Sequence, residues 1–377
     1  MQNEKTDRLH LDFLDGLRAL AALFVILHHS WLQIYPIYMG KTPSPLVTNL
    51  TFPLMYGHYA VALFIVISGF CLMLPVIRNQ NQIKGGVKTF FLKRAKRILP
   101  PYYLAMALSA LLIVLFIGKK TNTHWDASLP ITKEGVLAHI FLYQNWGSFE
   151  IAAQINHAFW SIAVECQIYL FFPLLVLLWQ KIGAIKTTVL SIFVGFALEM
   201  IFPEERYYLA APYFLTLFVY GMLACAIAFG KEAEFEKMRE KRQWLWLGLA
   251  NLVLIVILKR KTSFEFFHLS CTSDLLVAGP LFMLLLISAS QASKKHILNL
   301  LSWKPLVWIG TFSYSIYLMH APMIQIIWQY LLLPFKSNDG LTFFLLAIPG
   351  TLLIVVMCYP FHLICERPFM NTKRSKS

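Results

Sequence analysis

Residues 60–77 read AVALFIVISGFCLMLPVI, without one charged side chain. As a helix rising about 1.5 Å per residue, a run of this length matches the hydrocarbon core of a bilayer. Similar apolar runs recur along the 377-residue chain, which is 58% hydrophobic and 14% charged. A soluble domain carries roughly 25% charged residues. The expected fold class is therefore all-α, a polytopic membrane helical bundle with about ten transmembrane helices. The candidate spans lie near 17–35, 52–77, 98–117, 156–179, 185–202, 209–229, 244–258, 271–289, 308–333 and 341–364. No spacer rich in Gly, Ser or Pro and no internal repeat divides the chain. Residues 1–377 are thus expected to be a single domain, with no appended soluble domain.

The net charge of +14 raises the question of nucleic acid. The basic residues sit in short loops between apolar runs, so topology explains them and no nucleic-acid partner is expected. With ten spans, 24 of the 33 Lys and Arg fall on one side, including those of the N-terminus, the 78–97 loop and the C-terminus. The richer side is cytoplasmic, which puts both termini inside a cell (inner) membrane. The cluster Lys259, Arg260 and Lys261 falls on the opposite side and strains this arrangement. The loop 119–155 lies outside, and its short apolar stretch 136–143 suits an interfacial or re-entrant segment. The mixed-charge 231–242 loop reads as a solvated helix-like segment. All six cysteines lie in or beside apolar runs without C-x-x-C spacing, so neither a disulfide framework nor a metal site is expected. The first apolar run follows Asp12, Asp15 and Arg18 and has no small-residue cleavage site, so it should stay as a helix.

Ionisable groups inside spans are costly, which makes each a candidate site residue. Arg18 and His29 are eleven positions apart in the first span. Eleven helical steps return to within about 20° of one face, and the rise is about 16.5 Å. Arg18 at the cytoplasmic end could hold a phosphate or thioester-side group, and His29 above it could act as general acid or base. His28 points elsewhere. The plain alternative is a snorkelling arginine and a core histidine. In the fourth span His157, Ser161 and Glu165 follow at four-residue intervals and form a polar stripe. Glu165 lies near mid-membrane, where a Glu–His couple with His29 could take a proton from a hydroxyl. Helix–helix hydrogen bonding is the alternative, above all for Ser161. In the ninth span Ser313, Tyr317 and His320 share a face, with Pro322 following. His320 matches His29 in depth, as a functional group or a packing histidine. Arg94 and Arg97, within Lys93, Arg94, Lys96 and Arg97, share a helix face. Paired guanidiniums suit the phosphates of a nucleotide such as CoA; lipid headgroups are the alternative. Asp274 and Glu199 form no pattern.

Together these stretches resemble the acyltransferase-3 family of membrane acyltransferases. The resemblance rests on LDFLDGLRALAALFVILHHS (11–30), LFIVISGFCL (63–72), FLKRAKRILPPYYLA (91–105), NHAFWSIAVECQIYLFFPL (156–174), GTFSYSIYLMHAPM (310–323) and ICERPF (364–369), in the family's order. It implies transfer of an acyl group, usually acetyl, from acetyl-CoA or another acyl-CoA to a hydroxyl of a glycan or lipid-linked sugar. It also implies that Arg18 and His29 are the first-span pair. Arg94 and Arg97 become the donor-side arginines, with Arg18 further along the donor's path, and Ser161 and Glu165 the fourth-span motif. Where the family commonly has a second acidic residue, Cys166 follows Glu165. Direct transfer and an acyl-histidine intermediate both remain open, and no metal is called for.

A secondary transporter is the rival class, because midplane polar residues suit a solute or proton pathway. That rival calls for internal repeats and matching broken helices, which the sequence lacks. A scaffold without chemistry leaves the buried Arg, His and Glu unexplained. The sidedness has a direct test: a cysteine introduced by Lys84→Cys should escape an impermeant thiol reagent added outside intact cells. Efficient labelling there would invert the arrangement.

Overall fold

The computed structural model describes residues 11–203, 209–240, 243–261, 271–291, 295–335 and 338–370. Arg206, Lys294, Lys336 and both chain ends, which entered the charge count, lie outside these residues. So do residues 262–270.

Among the described residues every regular element is helical. The chain runs α1 (Asp12–Ile34), α2 (Pro45–Thr51), α3 (His58–Ile77), α4 (Gly86–Leu112), α5 (Lys133–Ile140), α6 (Phe149–Ala153), α7 (Trp160–Ile182), α8 (Ala184–Ile201) and α9 (Phe214–Phe229). It continues through α10 (Ala233–Glu240), α11 (Trp244–Lys261), α12 (Cys271–Ser273), α13 (Gly279–Ser290), α14 (Lys295–Leu301), α15 (Lys304–Gly310), α16 (Ser313–Ile326), α17 (Asp339–Leu345) and α18 (Thr351–Phe361). Wider π-type turns extend α4 and α16, and others join α12 to α13 and α17 to α18. The chain is a multi-pass membrane protein of the all-α class.

Among the described residues, seven helical stretches are long and apolar enough to cross a membrane, eight if a bent pair is one span. The bent pair is α9 with α10, which turn 89° from each other. Two of the ten expected spans take other forms. The apolar part of α11, Trp244–Ile257, is shorter than a full crossing. The 308–333 run is broken after Gly310, and its second half restarts as α16 at Ser313. Close packing at this point requires a glycine, since a Cβ on Gly310 would lie 1.9 Å from the Asp15 carbonyl oxygen. The fourth span also begins late, at Trp160. Asn156 diverts the chain there: its Oδ1 accepts from the Ala158 N–H at 3.0 Å, and its Nδ2 donates to the Leu318 carbonyl at 2.9 Å. His157 therefore sits in a turn, off the helical stripe of Ser161 and Glu165.

Helix α7 shows how the bundle faces lipid. Leu170, Phe171, Leu174 and Leu177 are exposed, whereas Ser161, Ile168, Tyr169 and Phe172 are buried. The apolar outer face meets lipid and the polar groups turn inward. Helix α1 forms the axis, packed against α3, α14, α15 and α16. The loop between α4 and α7 carries α5, whose end leaves Phe141 70% exposed.

Glycine lets α3 and α9 meet backbone to backbone. A Cβ on Gly69 would lie 2.0 Å from the Phe218 carbonyl oxygen, and one on Gly221 would lie 1.9 Å from that of Val66. Such close approach is the common basis of helix association in membranes. Gly221→Ala should therefore destabilise the fold by about 1–3 kcal/mol, the usual cost of overpacking. Gly248→Ala, whose Cβ would meet only Leu284 at 3.6 Å and Leu281 at 3.9 Å, should not. Thermal unfolding of both variants in detergent decides the matter; equal midpoints would refute the role given to this crossing.

Candidate functional site

A cavity of about 790 Å³ lies between α1, α3, α4, α7 and α16. Arg18, Arg94 and Arg97 line it, together with Ser68, Ser161 and Glu165. The alternation of Lys93, Arg94, Lys96 and Arg97 follows the helix: both lysines are exposed and both arginines half-buried. That separation is the helical one, with the arginines three positions apart on one face.

The three guanidiniums differ in what holds them. Arg18 donates to Asp15 Oδ1 at 2.7 Å and to Cys71 Sγ at 3.0 Å. Arg97 forms an ion pair with Glu366, Nη2 to Oε1 at 2.9 Å, while its Nη1 is buried without a partner. Glu366 is fully buried, and its Oε2 accepts from Ser315 Oγ at 2.5 Å and His362 Nδ1 at 2.8 Å. Arg94 makes no hydrogen bond or ion pair among the described residues and faces the cavity uncommitted. Glu366 was missed in the sequence, although it stands in the quoted ICERPF stretch. An acid at the edge of an apolar run was the available signal.

Glu165 Oε1 accepts from Ser68 Oγ at 2.7 Å and from the Tyr169 hydroxyl. The expected Glu165–His29 couple does not form, because α3 and α7 supply Glu165's partners and His29 bonds elsewhere. Ser161 and Tyr317 meet across α7 and α16, hydroxyl to hydroxyl at 2.6 Å. Both hydroxyls also have the Ala158 carbonyl as an acceptor, Tyr317 at 3.1 Å and Ser161 at 3.5 Å.

Beyond this pair lies a second polar centre. His320 Nδ1 lies 2.7 Å from the Tyr317 carbonyl oxygen and 3.3 Å from that of Ile316. Carbonyl oxygens only accept, so Nδ1 carries a proton and Nε2 of the neutral ring is an acceptor. His29 Nδ1, 2.8 Å from that Nε2, therefore donates to it. The basic atom of a neutral His29 is then its Nε2. The His29 ring centroid lies 4.8 Å from that of His157 and 5.5 Å from that of His124. His124 arrives from the 3-10 turn His124–Ser128 in the loop between α4 and α5, where sequence periodicity gives no sign of it. His28 turns away, its Nδ1 donating to the Leu54 carbonyl at 2.6 Å. Asp274, given no role from sequence, is buried near His58 Nε2 at 3.5 Å and accepts from Tyr213 at 3.3 Å.

The candidate residues thus fall into two groups. Arg18, Arg94, Arg97, Ser161 and Glu165 share the cavity, and His29 and His320 share the histidine cluster. Tyr317 borders both: its side chain lines the cavity and its ring centroid lies 5.7 Å from that of His320.

Residues 11–360 match the sequence model of the acyltransferase-3 family, described as an acyltransferase domain. The chain is similar to "Peptidoglycan O-acetyltransferase OatA" of Listeria monocytogenes, 24% identical over 354 residues, 85% of this chain and 50% of that one. It is similar also to "Putative peptidoglycan O-acetyltransferase YrhL" of Bacillus subtilis, 26% identical over 360 residues, 86% of this chain and 50% of that one. The chain therefore spans about half the length of these relatives. No solved structure matches it.

Proposed function

The chain belongs to the acyltransferase-3 family, and from that membership we propose a membrane-bound O-acyltransferase that moves an acyl group, most simply acetyl, from a CoA thioester to a glycan hydroxyl. The observation that carries this reading is the pairing of an arginine-lined cavity with a histidine cluster, separated by one tyrosine. The names of the two relatives, both peptidoglycan O-acetyltransferases, support the acetyl group and the glycan acceptor.

On the donor side, Arg94 offers an unpaired guanidinium suited to phosphate. Arg97 contributes its free Nη1, and Arg18 lines the same cavity. The cavity volume suits the slender pantetheine arm of a donor whose nucleotide stays near the basic face. On the acceptor side, the acceptor hydroxyl gives its proton to His29 Nε2 as its oxygen attacks the acyl carbonyl carbon. His320 Nε2, accepting from His29 Nδ1, steadies the imidazolium that forms. The carbon–sulfur bond then breaks, and the CoA thiolate leaves with the electron pair. An acyl-histidine route uses the same Nε2 as nucleophile in two successive transfers. Glu165, held by Ser68 and Tyr169, shapes the cavity wall instead of assisting His29.

Two outcomes follow. Arg94→Ala should weaken CoA binding by about 1.5–3 kcal/mol, the range of a charge-assisted hydrogen bond, with little effect on acceptor binding. Calorimetry on the folded variant measures it, and unchanged affinity would reduce Arg94 to a topology signal. His29→Ala should lower radiolabelled acyl transfer in membranes by roughly 10²–10⁴-fold at matched protein level, while CoA binding persists. Near-normal turnover would remove His29 from the chemistry. Mass spectrometry of cell-surface glycans with and without the gene identifies the acyl group and acceptor; identical glycans would count against glycan acylation.

A further inference from the structure

Three segments far apart in sequence bring His29, His124 and His157 together, with one ring nitrogen of each within 4.8 Å of those of the other two. Each ring has its Nδ1 occupied. His29 Nδ1 donates to His320 Nε2 at 2.8 Å, His124 Nδ1 lies 2.9 Å from Tyr38 Oη, and His157 Nδ1 lies 3.1 Å from Ser128 Oγ. His157 Nε2 is buried without any hydrogen-bond partner. An orphaned buried nitrogen of this kind is costly unless something meets it. Metal-ligating histidines characteristically hydrogen-bond through the second ring nitrogen, which fixes the ring and its tautomer. All three rings here show that pattern.

We propose that His29, His124 and His157 bind one divalent transition-metal ion through their Nε2 atoms, with His320, Tyr38 and Ser128 as the outer partners that orient the rings. Three imidazoles and no thiolate or carboxylate suit Zn²⁺ and its neighbours, not Mg²⁺ or Ca²⁺, which require oxygen ligands. Zn–N bonds of about 2.0–2.1 Å place ligand atoms roughly 3.4 Å apart in a tetrahedron. The ring nitrogens now lie within 4.8 Å of one another, so binding would draw them together by up to about 1.4 Å. Three protein ligands leave a fourth coordination position open, the arrangement of catalytic zinc sites. The site uses the same His29 Nε2 that the acyl-transfer reading takes as base. An Nε2 that ligates an ion has no lone pair left to accept a proton, so His29 would serve either as ligand or as base, not as both at once. Metal binding itself stands independently of the transfer reaction.

The test uses full-length protein purified in detergent, stripped with a chelator and titrated with Co²⁺ in the absence of donor and acceptor. The expected result is one Co²⁺ per chain, with the visible absorption bands of a tetrahedral nitrogen site. The bands should vanish in the His124→Ala and His157→Ala variants. Tyr38→Phe, altered at a half-exposed position, should weaken Co²⁺ affinity about 10–100-fold and preserve the fold. That variant decides the question if the histidine variants aggregate. Folded wild-type protein without stoichiometric Co²⁺ or bands overturns the site. So do bands that survive loss of both His124 and His157, or a Tyr38→Phe variant with unchanged affinity. Because no acyl transfer is measured, failure here leaves the acyltransferase reading intact, and failure of that reading leaves this one standing.

Discussion

Hydrocarbon offers no solvent to a polar side chain, so each polar group in this bundle must find its partner within the protein. That constraint is concentrated on α1. Asp15 and Cys71 hold Arg18 near one end, and His320 holds His29 near the other. Cys71 comes from α3 and His320 from α16, both of which pack on α1. Against α14 and α15 the approach of α1 is tight enough that the Gly16 and Gly310 positions lack room for a Cβ beside the Leu301 and Asp15 carbonyl oxygens. The polar groups and the glycines thus enforce the same arrangement from two directions.

The three cavity arginines show how pairing divides labour. Arg18 and Arg97 are compensated by carboxylates, whereas Arg94 is not. A buried ion pair adds little net stability, but removing one partner leaves a stranded charge worth several kcal/mol. Glu366 therefore matters to the wall of the cavity as much as any arginine that faces into it. Its four-way contact with Arg97, Ser315 and His362 ties α4, α16 and the end of the chain's last long helical stretch together.

What the sequence made legible depended on unbroken helices. Arg18 and His29 could be placed on one face because α1 runs without interruption from Asp12 to Ile34. The same arithmetic failed for His157, because Asn156 folds back on Ala158 and delays the helix to Trp160. It also missed the break after Gly310, a position closely packed against the backbone of α1. His124 could not be found at all by periodicity, since it lies in a loop whose path is set by long-range contacts. The Glu165–His29 couple was inferred from matching depth, but depth leaves the angular position around the bundle undetermined. Ser68 and Tyr169 occupy the direction in which Glu165 points.

The Tyr317 side chain is common to the cavity and the histidine cluster. Its hydroxyl meets that of Ser161 at 2.6 Å, and the Phe64 ring lies 5.9 Å from its own. A neutral hydrogen bond contributes only about 0.5–1.5 kcal/mol net. On the acyl-transfer reading, a donor reaching from the arginines towards His29 would therefore displace rotatable side chains at modest cost, without any movement of the backbone.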